Sequence, residues 1–201
     1  MRKLILVLVT VFITASLSTV AQSKLGFGMK GGINMASQST SGEGLNVNVE
    51  NIIRLHAGFY VNYFIKDYLA IQPELLVSGK GSKWDDPYYD TKDLLTYIDI
   101  PILIKVQPVK FLNVHAGPQF GYLVSALQKD IEENEKTDIK EWYNAADLGL
   151  VIGSEVSLPY KLSLTLRYVL GLMSASNDVE YIDPWKNNFF QVSISYRIKG
   201  K

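Results

Sequence analysis

The chain has 201 residues, 47% of them hydrophobic, equal numbers of acidic and basic side chains, and no cysteine. This supplies one domain with a sizeable buried surface. It excludes the basic footprint of a nucleic-acid partner, and it excludes disulfide stapling.

The N-terminus carries Arg2 and Lys3, an apolar run from Leu4 to Leu17, and the small residues Thr19-Val20-Ala21. That order is expected of a secretory signal peptide cut near Ala21. The run is short for a membrane anchor, and no basic stop-transfer cluster follows it. Residues 1–21 are expected to be removed, leaving 22–201 as the mature domain with 18 basic and 20 acidic side chains. No later stretch approaches the 18 continuous apolar residues of a spanning helix.

The mature chain opens with LGFGMKGGIN, Leu25–Asn34. Its odd positions are apolar or glycine and its even ones glycine, lysine or asparagine, which is strand periodicity. Four glycines in ten residues would weaken a strand packed on an ordinary core. The alternation recurs in Ile53–Ile65, Leu69–Lys80, Leu94–Val106, Phe111–Ser125, Ala145–Ser157, Lys161–Leu172 and Phe189–Ile198. Eight strands of about 10 to 15 residues are long for a soluble sheet and suit tilted membrane strands.

The connections alternate strictly. Three are tight, at Lys66–Tyr68, Gln107–Lys110 and Leu158–Tyr160; four are long, Ala36–Ile52, Gly81–Asp93, Ala126–Asn144 and Met173–Asn188. An eight-stranded antiparallel up-and-down transmembrane β-barrel, with short periplasmic turns, long outer loops and both termini periplasmic, gives that order. A soluble lipocalin-like ligand-binding barrel has the same strand count. Its polar face would meet water and be rich in Lys and Glu, whereas here that face is rich in Gly, Ser, Asn and Gln, as a narrow packed lumen requires. The apolar face carries Phe59, Tyr63, Phe120, Tyr122, Tyr168, Phe190 and Tyr196, several near strand ends as in an aromatic girdle. Leu25, Phe27, Met29 and Ile33 should touch lipid, and Gly26, Gly28 and Gly32 a crowded interior.

The long loops hold 15 acids against six lysines (Lys83, Lys92, Lys129, Lys136, Lys140 and Lys186), a net of −9. Oxygen-rich loops suit Ca²⁺ or Mg²⁺ between lipopolysaccharide headgroups. No loop has regular ligand spacing, so a solvated, self-repelling surface is the preferred reading, with no cofactor or metal. Glu74, Asp99, Lys105, Glu155 and Arg167, with Lys30 and Arg54, point inward by parity. Charges so confined need partners, and a lumen salt-bridge network is expected, in which Glu74, Asp99 and Lys105, inward on adjacent strands, pair across the lumen. Eight strands leave room for side chains but not for a general pore.

Some eight-stranded outer-membrane barrels modify lipids with a His, a Ser and an acid. Both histidines, His56 and His115, fall on the lumen face, His56 toward the outer rim. Its expected partners are Glu74 or Ser78, and lipid chemistry would need either a bulge between Ile53 and Phe59 that reverses its parity or an opening between strands that admits lipid. An outer-membrane lipid hydrolase or acyltransferase is therefore the alternative to a non-enzymatic barrel, with no catalytic residue assigned.

Four stretches, GMKGGIN, IQPELLVSGKG, YIDIPILIK and HAGPQFGYL, together with LRYVLGL and FQVSISYRI, resemble the PorT-like outer-membrane β-barrel proteins of Bacteroidetes. Asp99 stands where Glu is commoner in that family, and the chain ends in Ile198-Lys199-Gly200-Lys201 where barrels often stop at an aromatic. The resemblance implies a Gram-negative outer membrane, contact with outer-membrane lipid and lipopolysaccharide, and insertion by the barrel assembly machinery. Its founding member is linked to gliding and protease secretion. In the residues themselves, Pro73 and Pro101 should mark bulges or ladder breaks. Trp84, Tyr88, Tyr89, Tyr181 and Trp185 are the aromatic anchors expected to meet an envelope protein partner from the outer loops.

Overall fold

The computed structural model describes residues 24–39, 48–85, 90–131, 135–177 and 185–200; the expected signal peptide lies outside them, as do Tyr88, Tyr89 and Tyr181. The strands are β1 (Leu25–Ser39), β2 (Asn48–Glu50), β3 (Ile52–Lys66), β4 (Leu69–Asp85), β5 (Asp90–Val109), β6 (Leu112–Asp130), β7 (Lys136–Asp138), β8 (Ala146–Ser157), β9 (Leu162–Gly171) and β10 (Lys186–Lys199), with a 3-10 turn at Lys140–Trp142. The eight long strands pair antiparallel with their chain neighbours, and β10 returns to β1. Closure gives every long strand a partner on both sides, and the short β2 and β7 pair with β4 and β6 at the long-loop end.

Burial alternates along every long strand with the apolar side outward. Leu55 is 75% exposed, Ile152 62% and Phe190 60%, while Lys30, Glu74, Lys80 and Arg167 are at most 4% exposed. A soluble ligand-binding barrel has the reverse sidedness. A continuous exposed apolar band of this kind is stable only against another apolar phase.

β4, β5 and β6 have 17, 20 and 19 residues and outrun their sequence-read segments. The expected loop Gly81–Asp93 is mostly hairpin, paired as far as Asp85↔Asp90, and β6 follows β5 to Thr91↔Asp130. Ser82–Asp85 and Asp90–Asp93 are largely polar on both faces, so the apolar alternation fades while the backbone ladder continues. Pairing is interrupted between Pro73 and Leu76 on the β5 side and after Pro101 on the β6 side, with no change of register at either, so the prolines break the ladder without a bulge. The short turn after β8 places Tyr160 and Lys161 at φ 60° and 63°, and Leu162 N donates to Pro159 O at 3.3 Å. This is a type I′ hairpin turn, whose usual occupants are Asn and Gly.

Candidate functional site

The lumen is filled with ionisable side chains that pair across it. Glu74 (β4) is the centre of one cluster. Lys30 Nζ (β1) donates to its Oε1 at 2.9 Å, and Arg167 (β9) donates from NH1 to Oε2 at 2.8 Å and from NH2 to Oε1 at 2.6 Å. Arg167 Nε also donates to His115 Nε2 at 2.8 Å, which puts the His115 proton on Nδ1. Next to it, Lys105 Nζ (β5) donates to Glu155 Oε1 (β8) at 2.6 Å and to Gln72 Oε1 at 3.1 Å. Toward the long-loop end, Lys80 Nζ (β4) donates to Asp99 Oδ1 (β5) and Asp147 Oδ2 (β8), both at 2.9 Å, and lies 4.3 Å from the Tyr97 ring centroid. Lys30, Lys80, Lys105 and Arg167 thus oppose Glu74, Asp99, Asp147 and Glu155, four charges against four, each at most 8% exposed. Such balance is what a water-poor interior demands.

Glu74, Asp99 and Lys105 do not pair with one another, as parity on adjacent strands suggested; each is matched to a cation or carboxylate elsewhere. Lys80 and Asp147 were not singled out in the sequence, although both fall on inward positions.

The glycines make these contacts possible. Gly153 (β8) sits in register between His115 (β6) and Arg167 (β9), and a Cβ there would stand 2.8 Å from His115 Nε2 and 2.7 Å from Arg167 Cγ. Gly121 (β6) lies between Asp99 and Asp147, 2.8 Å from Asp99 Oδ1 by the same measure. Gly32 (β1) lies between His56 (β3) and Ser193 (β10), and His56 Nε2 meets Ser193 Oγ at 2.9 Å across it. Gly28 is covered by the Tyr60 ring, which a Cβ would strike. Gly32 and Gly153 are gaps through which side chains of the two flanking strands reach one another, and Gly121 lies between two carboxylates that share Lys80.

The histidines therefore have lumen roles. His56 bonds Ser193 rather than Ser78 or Glu74; Ser78 Oγ instead accepts from Asn34 Nδ2 at 2.9 Å. β3 pairs with β1 in unbroken register from Ile52 to Tyr63, so no bulge there turns His56 toward lipid. His56 is 3% exposed, and among the described residues no carboxylate bonds its Nδ1, so the His–Ser pair lacks an orienting acid. Among the described residues no three His, Asp or Glu side chains converge as a metal site.

A cap closes the long-loop end. Tyr143 OH, Trp84 Nε1 and Gln128 Nε2 donate to Asp93 at 2.7, 2.9 and 3.2 Å. The Trp84 and Trp185 rings lie 5.1 Å apart, with Tyr143 6.1 Å from Trp185. Ile139, Tyr143 and Ala175, from segments between strands, pack on Leu95, Tyr97, Leu123 and Ala126 below. Burial, with the Asp93 carboxylate beside it, pushes the Tyr143 phenol far up, so it remains a donor. Asp93, counted with the solvated loop acids in the sequence, is buried here. Trp84 and Trp185 are half-buried and face each other, while Trp142 is 51% exposed on the outside.

Over residues 20–177 the chain matches the family described as outer membrane protein beta-barrel domain. The chain belongs to that family. Membership explains the inverted burial: the apolar band of this outer membrane protein beta-barrel domain faces bilayer hydrocarbon, its short turns the periplasm and its long loops the outside. Two solved structures share the fold. The attachment invasion locus protein Ail of Yersinia pestis is 9% identical, with 88% of this chain and 100% of that one covered and a TM-score of 0.52. Neisserial surface protein A (NspA) is 11% identical, with 85% and 96% covered and a TM-score of 0.53. At such identities the likeness is one of fold alone. No curated protein sequence matches the chain.

Proposed function

We propose that this barrel is a closed, non-enzymatic, PorT-like component of a Bacteroidetes cell envelope, with a structural, interaction or secretion-accessory role. One observation carries the reading: the four-against-four charge set fills the lumen, and the Asp93–Tyr143–Trp84 cap closes it. A filled and capped barrel offers neither a conduit nor a substrate chamber, which leaves its outer surface to act. Trp142, on the 3-10 turn above the cap, presents the exposed aromatic that protein interfaces favour. The test is a photo-crosslinking side chain at position 142 in intact cells, with planar-bilayer recordings of the purified protein alongside. One recurrent envelope-protein adduct and no stable conductance are expected. A steady ohmic conductance, or adducts to lipid alone, would count against the proposal.

A further inference from the structure

The outward face of the wall carries a feature that the lumen does not explain. Lys83 of β4 lies opposite Lys92 of β5, Lys92 opposite Lys129 of β6, and Lys129 opposite Lys136 of β7. Directly opposed residues share a face, so four lysines stand in one row, about 14 Å long at ~4.8 Å per strand. Their neighbours fix which face. Trp84, Asp93 and Gln128, each one residue away, bond to one another inside the mouth, so the lysines point out.

Along the outer face of β5, Val106 to Leu94 spans roughly 30 Å at the usual strand tilt, slightly more than the ~25 Å apolar band of outer-membrane barrels. Lys92 is the next outward residue. The row therefore stands where lipid headgroups begin. Beside it a groove of about 580 Å³ is lined by Lys83, Lys92 and Arg54 and by apolar Ile53, Leu94 and Ile131, together with Glu50 and Asp90. The two acids contact Lys83, at 3.4 and 3.3 Å. Among the described residues, Arg54, Lys92, Lys129 and Lys136 form no ion pair. Like charges set opposite each other destabilise a sheet. Yet four of the six lysines in loops otherwise crowded with acids are gathered here, and the apolar layer below the row is where acyl chains would lie.

We propose that this row and groove bind the phosphorylated headgroup of an outer-leaflet lipid, with phosphate on the lysines and acyl chains on the apolar band beneath. The inference goes beyond the interaction role above and rests on the outer-membrane placement alone. The full chain in detergent would be titrated with diphosphoryl lipid A and, in parallel, with its dephosphorylated form, and retained lipid counted by native mass spectrometry. The parent should retain the phosphorylated form preferentially. In Lys92→Gln/Lys129→Gln/Lys136→Gln the apparent affinity should fall about a hundredfold, since each lysine at an anionic membrane surface contributes about fivefold. The matching triple Lys→Arg variant should keep it. In lipid-free detergent the Gln triple should be at least as stable as the parent; if it does not fold there, the three single Lys→Gln variants, each expected about fivefold weaker, give the same reading. Equal retention of the two lipids, undiminished retention in the Gln variants, or complete displacement by millimolar inorganic phosphate at constant ionic strength would overturn the proposal.

Discussion

Glu74→Gln is the sharpest test of how the barrel interior is held. Glu74 accepts from Lys30, from both terminal nitrogens of Arg167 and from Gln72, and its side chain is 0% exposed, as is that of Lys30. No solvent screens the change. Glutamine keeps the volume and one acceptor oxygen but removes the charge, leaving two buried cations whose only shared counter-charge is gone. Breaking a buried pair by removing one partner costs about 3–5 kcal/mol, and because two cations lose theirs the upper part of that range is expected. Arg167→Met alone leaves Glu74 its Lys30 partner and should cost less. Combining Glu74→Gln with Arg167→Met removes one charge of each sign, and the double variant should recover at least about 2 kcal/mol relative to Glu74→Gln. Urea titrations of the folded protein, read by heat-modifiable migration in gels, give the midpoints and slopes. A Glu74→Gln protein within about 1 kcal/mol of the parent, or a double variant no better than Glu74→Gln, would show that the lumen charges are hydrated and independent.

Two further changes separate the effects of space and backbone. Gly32→Ala places a Cβ against the Val192 carbonyl and the His56 ring, whereas at the adjacent, outward Gly31 the nearest atom would be 3.6 Å away; Gly32→Ala should cost about 1–3 kcal/mol and Gly31→Ala should be neutral or slightly stabilising, with equal midpoints refuting the difference. Tyr160→Asn with Lys161→Gly supplies the residues a type I′ turn prefers and should stabilise by about 1–2 kcal/mol, given the cost of left-handed backbone for side-chain-bearing residues; an unchanged or lowered urea midpoint would mean that the turn carries no strain.

What was legible in the sequence follows from which contrasts are binary. Apolar against polar is binary, so strands whose two faces meet lipid and lumen were visible from Leu25 to Ile198, and the long–short order of connections set the topology. Where both faces are polar, as at Ser82–Asp85 and Asp90–Asp93, the contrast vanishes although the ladder goes on, and a hairpin read as loop. Parity also assigns a side but not a height. Glu74 and Arg167 are 93 residues apart and meet only because the register of every intervening strand brings them level, which no single strand's pattern contains. The glycines hold some of that missing information. In an interior this narrow, a bulky side chain on one strand can reach past its neighbour only if the residue abreast of it has no Cβ. Gly32, Gly121 and Gly153 each stand abreast of two side chains that meet, or share a partner, across them. A glycine on the lumen face of such a barrel is thus less a weakness of its own strand than a record of a contact between the strands on either side. Pairing each inward glycine with the polar residues its neighbours present at the same level would have pointed to Asp147, the carboxylate that parity alone left aside, and through it to Lys80.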